Sequence, residues 1–256
     1  MNRYERALRQ ADLLTGTPPT GYVRIWLDNA ARRSVGPEVV VDVAKTGLAF
    51  SLQLLQGCQE IIDRRGKSYF LIPPEASGAD ARMAVLLTYV LNAGTDYGTQ
   101  TWEGDFPETP YSAAEAMRIM DRQLANSWSY DRDVKFVHRN GGRLVATPNG
   151  ILMGVGGNCT QRLFSQRGGT TWGDIFMVNS PRVADPAQRL REIIQSPRTP
   201  QLDRLLHHEE RHCAQWAALG YTGMLRAYGW ELLREYMFRR PNRLELDAGL
   251  RDGGYC

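Results

Sequence analysis

Three of the chain's four histidines, His207, His208 and His212, fall within six residues of one another in the stretch LLHHEERHCAQW. Inside it, His208-Glu209-Glu210-Arg211-His212 has the order H-E-x-x-H. On a helix this spacing lets two imidazoles one turn apart reach a single metal ion, while the carboxylate after the first histidine lies beside the ion and not on it. Zn2+ held in this way lowers the pKa of a bound water toward ~7 and polarises a carbonyl, so Glu209 is the expected general base for amide hydrolysis. The same five residues also fit a plainer reading, a wet helix face laced by i,i+4 ion pairs with no metal.

The motif needs a helix to carry it. Thr199-Pro200 is a good helix start, because threonine caps open amides and proline suits the first helical position. Gly220 is a good stop, since glycine accepts the left-handed conformation at a helix end. Stepping about 100° per residue puts Leu205, His208, Glu209, His212, Gln215, Trp216 and Leu219 on one inward face. Asp203, Arg204, His207, Glu210 and Arg211 fall on the opposite side, so His207 is expected to be a solvated surface residue.

A catalytic zinc takes a third protein ligand and keeps one position open. The downstream carboxylates are Glu231, Glu235, Glu245, Asp247 and Asp252. Pro241-Asn242 opens a new helix with Glu245 in its first turn, and small Ala248 and Gly249 share its face, leaving room for the motif helix. Glu245 is therefore the expected third ligand, with Asp247 next. Asn242-x-x-Glu245 is also a capping-box pattern, so Glu245 as a cap for its own helix remains the alternative.

Up to about Tyr97 the apolar spacing is helical, with expected helices over Arg3 to Leu14, Gly36 to Arg64 and Ala79 to Asn92. A loop rich in Gly, Thr and Pro, Gly94 to Pro110, marks an expected boundary between residues 1–108 and 109–256. Ser112-Ala113-Ala114-Glu115 reads as a capping box opening a helix through Leu124. Val134 to His138 and Arg143 to Ala146, flanking Asn140-Gly141-Gly142, read as a hairpin. Ile151 to Val155 and Asp174 to Val178 read as further strands, and Pro186 to Gln195 as a helix.

Composition limits the remaining classes. The 256 residues are 43% hydrophobic, enough for a real core, and 31 basic against 28 acidic residues are mixed along the chain, giving a net charge of +3 and no footprint for nucleic acid. No apolar tract is long enough to span a bilayer, and the N-terminus lacks the pattern of a secretory signal. Cytoplasm is the expected location, with export by a signal-less route left open. Cys58, Cys159, Cys213 and Cys256 form no C-x-x-C pair, so neither a disulfide framework nor a thiolate zinc knot is indicated. Gly154-Val155-Gly156-Gly157 reads as a glycine-rich strand end, His138 as a surface residue on a strand, and Cys213 as a small buried hydrophobe.

GGTTWGDIFMVNS, then His208-Glu209-x-x-His212-x-x-Gln215, then NRLELDA resembles the strand, active-site helix and glutamate helix of gluzincin-type zinc metallopeptidases. The likeness in style is to the minimal zincin domains of bacterial toxin and secretion cassettes, and it covers the last third of the chain. It implies Zn2+ on His208, His212 and Glu245, with Glu209 as base and then acid. It also implies that Gly173 to Ser180 is an edge strand over the cleft, where an extended peptide substrate adds as another strand. From the residues alone, that run fits an interior strand equally well. Tyr221, Tyr228, Tyr236 and Tyr255 are the candidate donors to a transition state.

The expected molecule is thus an α+β protein. A helical N-terminal part precedes a zincin-like domain with a small, mostly antiparallel sheet and the H-E-x-x-H helix, acting as a zinc metallopeptidase on a peptide or protein. The competing expectation is a binding or adaptor protein with a structural metal site, which presents the helix Gly36 to Arg64 to a protein partner. Glu209 discriminates between them, since a structural site has no use for a base.

Overall fold

The computed structural model describes residues 2–95, 109–157, 169–180, 183–197 and 199–249. Three helices open the chain, α1 (Arg3–Gln10), α2 (Gly21–Arg32) and α3 (Pro37–Lys45), followed by a 3-10 helix, Leu48–Gly57. Strands β1 (Gln59–Ile62) and β2 (Ser68–Leu71) then form a hairpin, and α4 (Gly78–Asn92) closes the first part. After α5 (Ala113–Ala125) and a π turn, Ser129–Asp133, come α6 (Val134–Arg139), β3 (Arg143–Ala146), β4 (Leu152–Val155), β5 (Gly169–Trp172), β6 (Ile175–Val178) and α7 (Pro186–Ile194). The motif-bearing run α8 (Thr199–Phe238) and a short α9 (Arg243–Ala248) end the described chain.

The strands make one mixed sheet in the order β1-β2-β3-β4-β6-β5. β4 and β6 are parallel, and the other four pairings are antiparallel. Both faces of the sheet are covered. Along β2, β3 and β6, the residues Phe70, Leu144, Ile175 and Met177 point into a core built with α1 to α6. Their neighbours Tyr69, Leu71, Val145 and Phe176 point the other way, onto α7 and the first half of α8. A sheet buried on both faces has apolar residues at every position, which is why LVA, LMGV and IFMV read as unbroken runs. The mixed helix-and-sheet class expected from the sequence is the one found. No helix among the described residues is long and apolar enough to cross a membrane.

Three expectations fail for local reasons. Gly36 to Arg64 is not one long helix: it divides into α3, the 3-10 helix and β1, and Gly47 at φ 80° breaks the run. The helix that an adaptor would have presented is absent. Val134 to His138 is a helix, with Val134 and Val137 buried one turn apart. Asn140-Gly141 ends that helix instead of turning a hairpin. Gly141, at φ 78°, donates to His138 O at 3.0 Å and Gly142 donates to Val137 O at 2.9 Å, the double bond of a Schellman end. At Ser112 only half of the capping box forms: its hydroxyl accepts from Glu115 N, while the Glu115 carboxylate binds Arg118.

The hairpin that does form is β3–β4, with Arg143 opposite Val155 and Ala146 opposite Leu152. Most of the loop Gly94 to Pro110 lies outside the described residues. The sheet continues from one side of it to the other, since Phe70 pairs with Ala146 and Leu71 with Val145.

Candidate metal centre

Helix α8 starts at Thr199 and is interrupted at Gly220, whose φ of 67° and ψ of 169° only glycine adopts without strain. The motif helix ends there, as the glycine leads one to expect, and a second helix begins directly after it. In the first half, His208 is 1% exposed, Glu209 6% and His212 9%, all turned toward α9 and the edge strand β5.

The ring orientations follow from the acceptors around them. His208 Nδ1 lies 3.0 Å from the carbonyl oxygens of both Ala248 and Gly249, which accept only, so Nδ1 carries the proton. Gln215 Nε2 donates to Leu244 O at 2.9 Å and to Asp247 Oδ2 at 2.8 Å, which turns its Oε1 toward His212 Nδ1, 2.8 Å away. His212 Nδ1 is therefore also protonated. Both Nε2 atoms are left as lone pairs facing the same point.

Glu245 completes the group. Its Oε2 stands 3.3 Å from His208 Nε2 and 3.4 Å from His212 Nε2, and the two Nε2 atoms are 3.0 Å apart. Three donors on a tetrahedral ion with bonds near 2.0–2.1 Å would be separated by roughly 3.3 Å, so the triangle fits a Zn2+-sized cation. Among the described residues Glu245 Oε2 is buried and accepts no hydrogen bond, which leaves it free to face a cation. Among the described residues, His208, His212 and Glu245 are the group able to hold a metal. The capping alternative for Glu245 does not hold, because the Asn242 side chain caps the helix alone, accepting from Leu244 N.

No family model, curated protein or solved structure matches this chain.

The centre must therefore be read from its own chemistry. Burial works against ionisation of Glu245, but an Nε2 proton on the facing imidazoles outweighs it and holds the carboxyl well below its usual range. Burial likewise disfavours the His212 cation, yet Glu245 and Glu209 overcome this and push its pKa up to about 9. Three convergent lone-pair donors thus demand a positive charge between them, whether a proton or a cation. Glu209 behaves in the opposite sense to Glu245. Its burial raises the carboxyl pKa, against the pull of both histidines and of the Thr171 hydroxyl, which donates to Oε2 at 2.5 Å.

Asp247, the reserve ligand, faces away. It forms a fork with Arg211 at 2.9 and 3.1 Å and accepts from Gln215, so it orients the His212 side without joining the three donors. Glu231 is tied to Arg234 and to Arg243 N. Of the tyrosines, Tyr221 packs edge-on against Trp128 and Trp172, while Tyr228 and Tyr236 are exposed on the second half of α8. Tyr255, Asp252, Cys159 and Cys256 lie outside the described residues.

Two expectations about the helix faces are overturned. His207 and Asp203, assigned to solvent, are 5% and 3% exposed, and Leu219, assigned to the inward face, is 44% exposed. Asp203 ion-pairs with Lys67 and Arg65 from the β1–β2 hairpin, and Glu210 with Arg122 and Arg118 from α5. Asp203 and Glu210 sit against the protein because their charges have partners far along the chain. His138 is half-buried on α6, with Nδ1 3.1 Å from Pro74 O, and Cys213 is fully buried among apolar side chains.

The edge strand is likewise displaced from where the resemblance implies it. β6 is interior, between β4 and β5, and among the described residues β5 forms the edge beside the candidate ligands. Trp216 Nε1 donates to Thr171 O at 3.1 Å, tying that edge to the motif helix. Sequence reasoning missed Thr171, as well as the buried group of Arg122, Asn126 and Asp174. Asn126 donates both to Asp174 Oδ1 at 2.7 Å and to the motif-helix carbonyl Cys213 O at 2.9 Å. The separations of 38 residues for Thr171 to Glu209 and 87 for Asn126 to Cys213 leave no local pattern to find.

Proposed function

We propose that this protein is a zinc-dependent peptide hydrolase, with Zn2+ on His208, His212 and Glu245 and with Glu209 as the group that moves the proton. The observation that carries this reading is geometric: His208 Nε2, His212 Nε2 and Glu245 Oε2 converge within 3.0–3.4 Å of one another, and a second carboxylate, Glu209, stands beside them, held by Thr171 without joining the three. A structural site would gain nothing from the second carboxylate.

Bound by the three donors, the cation supplies Lewis acidity to a peptide carbonyl and acidifies water. The protein's own residues do the rest. His208 and His212 are fixed as Nε2 donors by Ala248, Gly249 and Gln215. Glu209, steadied at Oε2 by Thr171, has Oε1 to take a proton from the attacking water and return it to the leaving amine. The β5 edge lies alongside to align an extended substrate, and the walls of the centre, buried at His208 and Glu209, limit competing water.

The test is elemental analysis of untagged protein beside cleavage of a peptide library. The reading expects about one zinc per chain, lost in His212→Ala, and hydrolysis lost in Glu209→Gln with zinc retained. Zinc bound to the wild type without any hydrolysis would favour a structural site.

A further inference from the structure

The second half of α8, beyond Gly220, is a helix packed inside out. Its polar side faces the protein: Glu231 is 6% exposed, accepts from Arg243 N at 3.0 Å and pairs with Arg234 at 2.8 Å, and Arg234 donates to Pro241 O at 2.7 Å. Its apolar side faces outward. Tyr228, Trp230, Leu232, Leu233, Tyr236 and Met237 are between 40% and 87% exposed. At about 100° per residue these six, with Leu225, cover an arc of roughly 200°. A monomer does not ordinarily leave so much contiguous apolar surface in water.

Two features select the occupant. The first is the width of the arc, which is about twice the stripe of roughly 100° that packs onto a protein core or a single partner helix. A medium that surrounds half of the helix accommodates it better. The second is charge. Within residues 221–243 every exposed charged side chain is an arginine, namely Arg226, Arg239, Arg240 and Arg243, whereas Glu231 is buried and Glu235 half-buried. Trp and Tyr on an apolar face beside exposed arginines are the composition of a helix lying in the interface plane, where aromatic rings sit at headgroup level and cations meet phosphate. No described helix is long and apolar enough to cross a membrane, so contact with lipid would be along the helix face.

We propose that the second half of α8 docks the protein onto an anionic lipid surface, with the Trp230–Leu233–Met237 side sunk among the headgroups and the four arginines on lipid phosphates. The docking is independent of whether the metal centre is hydrolytic. It would hold that centre close to the surface, because Gly220 joins the two halves of one run.

The experiment is co-sedimentation of the full chain with vesicles of phosphatidylcholine alone or with about 30 mol % phosphatidylglycerol, at low and high salt. The expected result is binding to the anionic vesicles only, weakened by salt, and reduced about tenfold or more in Trp230→Glu/Leu233→Glu and in Arg239→Gln/Arg240→Gln. All four positions are exposed, so thermal unfolding of the variants should match the wild type; if one variant fails this control, the other decides. Absence of binding to anionic vesicles, or equal binding by a folded variant, overturns the proposal. So does a lipid-free dimer in sedimentation equilibrium that Trp230→Glu/Leu233→Glu splits, since the face would then be a contact between copies.

Discussion

The Thr171 hydroxyl donates to Glu209 Oε2 at 2.5 Å, so the carboxylate beside the candidate ligands is aimed by the sheet edge and not by its own helix. Hydrogen bonds to charged groups contribute about 1.5–3 kcal/mol. Thr171→Val is expected to slow peptide hydrolysis roughly ten- to hundredfold, with zinc content by elemental analysis unchanged. If zinc is lost together with the rate, Thr171 supports the ligands and not the base.

The ligand set separates cleanly by mutation. Glu245→Ala should abolish stoichiometric zinc, whereas Asp247→Ala should keep it, because Asp247 is engaged by Arg211 and Gln215. Gln215→Leu removes the acceptor that fixes His212 Nδ1, and outer partners of this kind are worth about 10- to 100-fold in metal affinity. Competition with a chromophoric chelator would rank the three variants.

Arg122 is 4% exposed and lies between Asp174 and Glu210, and it also donates to Gly150 O. Removing one partner from such a buried set strands the others. Arg122→Met is expected to cost about 3–5 kcal/mol, read as a lower urea midpoint. An unchanged midpoint would mean that water enters and solvates the two carboxylates.

Asp80 gives a pH signature at the start of α4. The Ser77 hydroxyl and backbone N–H both hydrogen-bond its carboxylate and hold its pKa below the usual value. A carboxyl with a depressed folded pKa adds stability that is complete above its unfolded value of ~3.9 and fades as pH falls through the folded one. Asp80→Asn should therefore unfold at lower urea than wild type at pH 7, and the gap should close on acidification toward pH ~2. A gap that stays constant with pH would assign the effect to helix propensity.

His208, Glu209 and His212 were legible as a candidate site because their relation is local, an i,i+4 pair of histidines with an adjacent glutamate. Glu245 stands in no such relation to them: the sequence marks only a glutamate one turn into a new helix, and the fold brings it to the histidines. The first strand pair was not. Gln59–Ile62 follows a run of leucines at helical spacing, and what makes it a strand is its pairing with Ser68–Leu71. Asn140-Gly141 is ambiguous in principle, since a positive φ serves both a hairpin and a helix end, and the burial of Val134 and Val137 decides it. His207 and Asp203 were misplaced because periodicity assigns charge to solvent. It does not see Lys67, Arg65, Arg118 and Arg122 arriving from 88 to 138 residues away.

The β2–β3 pairing has a consequence for how this centre comes into being. The candidate ligands occupy one short stretch, yet a fragment beginning at residue 109 would present β3 as a bare apolar edge and leave Asp203 without Lys67 and Arg65. The integrity of the candidate site therefore reports on whether the β1–β2 hairpin, far away in sequence, is in place.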